Sequence, residues 1–137
     1  MLPPLTHPTR VGKQDAWDFI VARYGELTPD ESKHLHERQD EQGLDIVLHF
    51  FQAYAALWLG RSLTPDEVGA AESLVADWRA DVVWPLRRLR RALKDRPGSI
   101  PGLKDAAQVL RARMAQAELD AEQAELHALC DWLAGRA

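Results

Sequence analysis

Several groups of side chains could in principle do chemistry, and one lies in the most apolar segment. Asp45, His49 and Gln52 are spaced so that they share one stripe of a helix. A histidine oriented by a carboxylate one turn earlier has the arrangement of a general base. The alternative, which we favour, is that Asp45 caps the helix while His49 is hydrogen-bonded inside the core.

A second group suggests a metal site, because histidines and acids alternate along residues 34–41. On a helix, however, His34 and His36 point about 200° apart. His36 and Asp40 then share a face and supply fewer ligands than a metal ion needs. We therefore predict a charged, solvated helix and no bound metal.

A third group resembles a nucleophile trio on paper and consists of His127, Cys130 and Asp131. A catalytic thiol needs a lowered pKa, which the amino end of a helix supplies. Cys130 falls near the carboxyl end of a predicted helix, where the dipole acts in the opposite direction. We expect Cys130 to be a core residue, and we predict a protein that is not an enzyme and holds no cofactor.

The steepest feature of the sequence is its segregation of charge. Residues 87–113 hold nine basic residues and two acids, a net charge of +7, whereas the whole chain has a net charge of −4. A surface so strongly charged favours an acidic or phosphate-bearing partner. The basic residues of the segment are Arg87, Arg88, Arg90, Arg91, Lys94, Arg96, Lys104, Arg111 and Arg113.

We predict that this segment binds an acidic protein partner, as a non-catalytic interaction or regulatory module. The predicted partner-binding residues are Trp84, Arg87, Arg88, Arg90, Arg91 and Lys94. The alternative is nucleic acid, with the Trp84 indole stacking on a base. A pI of 5.7 disfavours it, since nucleic-acid-binding domains usually exceed about 9. A further alternative leaves the face solvated, or docked on the acidic helix 30–45.

The elements that must position these residues all have helical patterns, and no window alternates apolar and polar residues as a half-buried strand does. We predict an all-α bundle of about five helices. Two helices begin with the string Leu-Thr-Pro-Asp-Glu, at 27–31 and at 63–67. Each string predicts a capping box, with proline in the first turn. The segment 45–59 is apolar nearly all round and is predicted to be the central buried helix.

The segments 65–95 and 103–133 are predicted to form a long antiparallel hairpin. An apolar ridge runs through Pro85 without losing phase, so we expect a kink near residues 81–85. In such a hairpin, residues 87–94 face roughly 105–112, and the acids from 118 onward lie near 74–81. The arginines near the bend should then lack intramolecular counter-ions.

Length and composition bound the remaining expectations. A chain of 137 residues favours one domain, predicted at 13–137, after an extended and poorly ordered segment at 1–12. One cysteine and the absence of a signal-like segment predict a cytoplasmic protein. Each hairpin arm would measure about 45 Å, against a globule diameter near 37 Å. The end of the hairpin should therefore either protrude or pack on another copy, as in a homodimer through the long C-terminal helix.

An ordered series of residue blocks resembles a known family. The blocks are Trp17-Asp18-Phe19, 39–46 with its Gln-Asp-x-x-Gly-x-Asp pattern, Leu57-Trp58-Leu59-Gly60, 78–79, 82–91, and 117–122. Together they look like a proteobacterial family of small helical proteins that is catalogued as a domain of unknown function. The chain departs from that pattern at Arg38 and Val47. The resemblance implies an all-helical bacterial cytoplasmic protein and brings no activity with it.

Overall fold

The computed structural model describes residues 12–95 and 100–136, and this part of the chain is helical almost throughout. The predicted extended segment at 1–12 therefore lies outside the described residues, apart from Gly12. The helices are α1 (Lys13–Gly25), α2 (Pro29–Gln42), α3 (Ile46–Leu59), α4 (Pro65–Trp78), α5 (Trp84–Asp95) and α6 (Leu103–Ala134), with a π-helical turn at Arg79–Val83 between α4 and α5.

The all-α prediction is confirmed, since the described residues contain helices and no strand. α4, the π-helical turn and α5 follow one another without a break, so the described residues form five continuous helices. Both predicted capping boxes form. Thr28 and Glu31 exchange hydrogen bonds with each other's backbone N–H groups at the start of α2. Thr64 and Glu67 do the same at the start of α4.

Contacts within the chain form two compact units. The first comprises the residues up to Leu74 together with those from Leu126 onward, and the second comprises Val75–Glu125. The first unit has α3 at its centre, as predicted, with Phe51 and Tyr54 almost fully buried. The Phe19 ring of α1 meets the Tyr54 ring edge-on, with 5.6 Å between centroids. The single-domain assignment stays a prediction.

The second unit contains an antiparallel hairpin, formed by residues 75–95 and 103–125. The Trp78 indole N–H donates to the carbonyl oxygen of Ala121 at 2.9 Å, which fixes the register of the two arms. This is the predicted register, in which the residues from 118 onward lie near 74–81. The inner positions of α6 include Ala107 and Ala121, and such small side chains let helices approach closely.

Where the sequence predicts a kink, near residues 81–85, the structure has a π-helical turn at Arg79–Val83, which ends directly before α5. The Trp84 N–H donates to the carbonyl oxygen of Arg79, five residues earlier. A proline lacks its own N–H, and its ring crowds the carbonyl group of the preceding turn. A widened turn just before Pro85 relieves that crowding while the helix continues.

Candidate functional site

The predicted binding surface begins with α5, and two of its arginines turn inward. Arg87 Nε donates to Glu118 Oε1 at 2.8 Å, and Arg90 Nε donates to Glu118 Oε2 at 2.7 Å. Arg87 also lies 3.6 Å from Glu122. The side chains of Arg87 and Glu118 are only 12% and 8% exposed. The expectation that the arginines near the bend lack intramolecular counter-ions is therefore wrong for Arg87 and Arg90.

One physical reason lies in the π-helical turn. An additional residue in one helical turn shifts the phase of everything after it by about 100°. Val75, Arg79 and Val83 are buried along the inner side of the second unit. With the shifted phase that stripe continues into Arg87 and Arg90, and the predicted apolar ridge rotates outward. Leu89, a member of that ridge, is accordingly exposed.

The direction of side chains along a helix is the second reason. Side chains lean toward the amino end of their own helix. In an antiparallel pair, two interacting side chains therefore come from positions that are not directly opposite. Arg87 leans toward α4, and Glu118 leans toward the start of α6, so they meet although the backbone register places Arg87 opposite residue 112.

Trp84 and Arg91, two further residues of the predicted surface, also have contacts inside the molecule. Trp84 is half-buried, and the guanidinium carbon of Arg79 lies 6.0 Å from its ring centroid. Arg79 itself is buried. Arg91 is exposed and has an interaction of its own within the chain. Trp84 therefore contacts Arg79 within the molecule and is only partly accessible to a partner.

Four other cations of the hairpin face solvent, whereas Arg96 lies outside the described residues. Among the described residues, no anionic partner lies against the exposed side chains of Arg88, Lys94, Lys104 and Arg113. Extending the segment to residue 122 includes the acids that pair inward, and residues 87–122 then hold nine basic residues and five acids, a net charge of +4. The two arms of the hairpin, 75–95 and 103–125, together hold nine basic and eight acidic residues, so the surplus of positive charge is confined to the part near the bend.

The hairpin also exposes large apolar side chains. Leu89 of α5 and Val109 of α6 are 45% and 57% exposed, and Leu103 and Leu110 are exposed as well. Leu103 and Leu110 are seven residues apart and so share one face of α6. The same two helices therefore carry both exposed cations and exposed large aliphatic side chains.

The other three candidate groups lie in the first unit. Two of their residues, Asp45 and Cys130, have structural roles. Asp45 Oδ1 accepts a hydrogen bond from the Leu48 N–H at 3.0 Å, which confirms that Asp45 caps α3. His49 is exposed, so its expected place inside the core is wrong. Partial desolvation and the Arg38 charge lower the pKa of His49. The Cys130 thiol is buried as expected, and burial followed by the Asp131 charge raises its pKa to about 12.

His36 and Tyr24 hydrogen-bond to each other between α1 and α2. Within residues 12–95 and 100–136, no group of three or more histidine, cysteine or acidic side chains is placed to hold a metal ion. The same residues contain no helix that is both long and apolar enough to cross a membrane.

Sequence reasoning counted Arg111 with the basic segment but gave it no role. Its Nε atom is shielded from solvent and has no hydrogen-bond acceptor among the described residues. Composition could not reveal this, because the signal is a three-dimensional one: the side chain borders a groove on α6.

Comparison with known proteins places the chain in a sequence family. A family model with the description "Protein of unknown function (DUF2390)" matches residues 15–129, which is most of the chain. No curated protein matches the chain, and no solved structure does.

Proposed function

This chain belongs to the DUF2390 family, whose description names no function, and we propose from its own residues that it is an interaction module for an acidic protein segment. The binding surface is the hairpin of the second unit. The observation that carries the proposal is a combination of two features on the same two helices: exposed aliphatic side chains, and cations such as Arg88 and Lys94 that have no counter-ion among the described residues.

The aliphatic side chains favour a protein partner over a nucleic acid. Phosphate groups pair with cations but gain nothing from an exposed leucine or valine. An amphipathic acidic segment offers both a carboxylate for each cation and an apolar side for Leu89 or Leu110. The nucleic-acid alternative relied on the Trp84 indole, which contacts Arg79 and is half-buried.

The proposal is tested with a short poly-glutamate peptide and a single-stranded oligonucleotide of equal charge, each titrated into the purified protein at two salt concentrations. We expect the peptide to bind, and its affinity to fall as salt is added, because screening at 0.1 M salt acts over about 10 Å. Binding of the oligonucleotide without the peptide would instead support the nucleic-acid alternative. Binding of neither would overturn the proposal.

The variants should be chosen from the cations that face solvent. Replacing both Arg88 and Lys94 with glutamate should weaken peptide binding at least about tenfold, since each reversal replaces an attraction by a repulsion. Arg87 is unsuitable for this test because its reversal would leave Glu118 buried against a like charge. The matched control reverses Lys13 and Lys33, which lie on α1 and α2 of the first unit, and should leave the affinity nearly unchanged.

A further inference from the structure

A groove of about 450 Å³ runs along α6 in the second unit. That volume lies within the range of small-molecule sites, roughly 300–1,000 Å³. The groove is lined by Arg90, Gln108, Arg111, Ala112, Ala115, Glu118 and Leu119. The lining therefore combines arginine, glutamine and glutamate side chains with apolar alanine and leucine side chains.

The charge of the groove is positive although Glu118 lies in it. Both oxygens of Glu118 are already engaged, Oε1 by Arg87 and Oε2 by Arg90. Arg87 also lies 3.6 Å from Glu122, so the surplus positive charge of the groove lining comes from Arg111. Among the described residues, Arg111 has no ion pair and no aromatic ring over its guanidinium group.

The unpaired Nε of Arg111 is the second observation. A buried donor without an acceptor is energetically unfavourable, and more so when the group is charged. Arg23 also has a shielded Nε, but its guanidinium lies 3.7 Å from Glu26 and over the Phe19 ring at 5.2 Å. Arg111 is different because nothing described replaces the missing acceptor.

We propose that this groove is a carboxylate-binding site, in which Arg111 is the principal donor and Gln108 assists it. A carboxylate accepts two parallel hydrogen bonds from Nε and one Nη of an arginine. A modest rotation of the Arg111 side chain would expose its Nε to such a ligand. The apolar wall formed by Ala112, Ala115 and Leu119 fits a short aliphatic stem, so the ligand is a carboxylate on two or three methylene groups.

Such a carboxylate has two sources, a glutamate side chain of the partner or a free dicarboxylic acid. The first source rests on the proposed function, whereas the second does not. Glutarate has three methylene groups, one more than a glutamate side chain, and serves as the free ligand. The poly-glutamate peptide represents the partner, and calorimetric titration of each probe into the full chain measures its affinity.

Replacing Arg111 with alanine should weaken the binding of either probe about tenfold, since a hydrogen bond to a charged group contributes about 1.5–3 kcal/mol. Arg111→Lys should lose most of that affinity as well, because lysine keeps the charge but not the paired donors. Arg113→Ala is the matched control. Arg113 lies on the same helix, is exposed and points about 200° away from Arg111. Its loss should change the affinity less than about twofold.

The outcomes separate the groove from the wider surface. If Arg111→Ala and Arg113→Ala weaken binding equally, or if wild type binds glutarate no better than Arg111→Ala while both bind the peptide alike, the groove is not a carboxylate site. The proposed function survives that result. If Arg88 and Lys94 prove dispensable while Arg111 is required, the groove stands and the broader basic surface does not.

Discussion

At the residue scale, the buried Glu118 of α6 links the two arms of the hairpin through Arg87 and Arg90 of α5. Its carboxylate accepts hydrogen bonds from Arg87 and Arg90 and is itself almost fully enclosed. Taking ions out of water is costly, and only good geometry with several hydrogen bonds offsets that cost. The cluster therefore depends on each of its members, and the loss of one leaves the others unbalanced in a shielded site.

Replacing Glu118 with glutamine should lower the free energy of unfolding by about 3 kcal/mol, because two shielded guanidinium groups lose their shared anion. Urea denaturation followed by circular dichroism measures the loss. Asp120→Asn is the control, since it removes the same charge two residues later from an exposed side chain. Asp120 accepts from Gln116, an exposed contact whose loss should cost little. Equal losses in both variants would contradict an essential ion-pair cluster.

Cys130 gives a second prediction at this scale. Burial and then the nearby Asp131 charge raise its thiol pKa from 9.0 to about 12. The folded protein at pH 8 should therefore react very slowly with a thiol-specific disulfide reagent, and quickly once urea unfolds it. A raised pKa also means that the folded state holds the thiol proton more tightly than the unfolded state does. The contribution of Cys130 to folding stability is therefore fully present below about pH 9 and is lost as the pH rises toward 12. Rapid labelling of the native protein would show an accessible thiolate instead.

At the scale of elements, the repeated helix starts differ in one useful respect. Both α2 and α4 begin with a capping box, but only in α4 does an arginine join it. Arg61 donates to both oxygens of Glu67, at 2.7 and 3.2 Å. These bonds, with those from Thr64, lower the pKa of Glu67 from 4.5 to about 2. The pKa of Glu31 is also lowered, first by its bond to the Thr28 backbone.

The dependence of stability on pH in the acid range should distinguish Glu67 from Glu31. A lowered pKa in the folded state stabilises the protein above pH 4.5, and that contribution is lost as the pH falls from 4.5 toward 2. Glu67→Gln should therefore flatten the decline in melting temperature across this window, and Glu31→Gln should flatten it less. Thermal melts at several pH values test the pair. Parallel curves for wild type and Glu67→Gln would refute the assignment.

How far the sequence predicted the structure is also clearest among the elements. Helix starts were predictable because capping is local: Thr28 and Thr64 hydrogen-bond within three residues of themselves. The hairpin register was predictable from its loop, and the Trp78–Ala121 hydrogen bond matches it. The destination of Arg87 and Arg90 was not, because a single π-helical turn before Pro85 rotates all of α5, and an even 3.6-residue period cannot represent that rotation.

The same rotation explains what the candidate site has become. With an unbroken α-helix, the ridge through Leu86, Leu89 and Leu93 would have packed inward and left the arginines in solvent. With the π-helical turn, the guanidinium groups of Arg87 and Arg90 are largely shielded, and Leu89 takes an exposed position. The predicted surface therefore has fewer free cations and more apolar area. The shielded position of Arg111 beside the groove depends on how the helices pack, and a periodic sequence pattern cannot indicate it.

At the scale of the whole molecule, the chain threads the two units in an interleaved order. The first unit contains residues from both ends of the described chain, and the second is formed by the continuous stretch between them. The last two turns of α6 supply Leu126, Leu129 and Leu133 to the first unit, each with no exposed surface. α6 therefore forms one arm of the hairpin and also completes the core of the first unit.

Ending the chain after Glu125 should consequently unfold the first unit, although every residue of the second would still be present. The three leucines are lost together with Cys130, and each large side chain removed from a core costs about 2–5 kcal/mol. Three such losses amount to about 6–15 kcal/mol, which is comparable to the whole stability of a typical domain, about 5–15 kcal/mol. Circular dichroism should show a large fall in helix content, and the aromatic signal of the Phe19–Tyr54 pair should lose its fine structure.

A chain that ends after Gly135 is the control, because it lacks only residues that follow the last buried leucine. It gives up the contact of Arg136 with the Trp132 ring, at 4.7 Å, which contributes about 0.5–1 kcal/mol at an exposed site. This control should melt cooperatively within a few degrees of the full chain. If the chain ending at Glu125 melted as cooperatively as the control, the end of α6 would not be an integral part of the first unit. Residues 126–135 would then contribute little to the stability of the first unit.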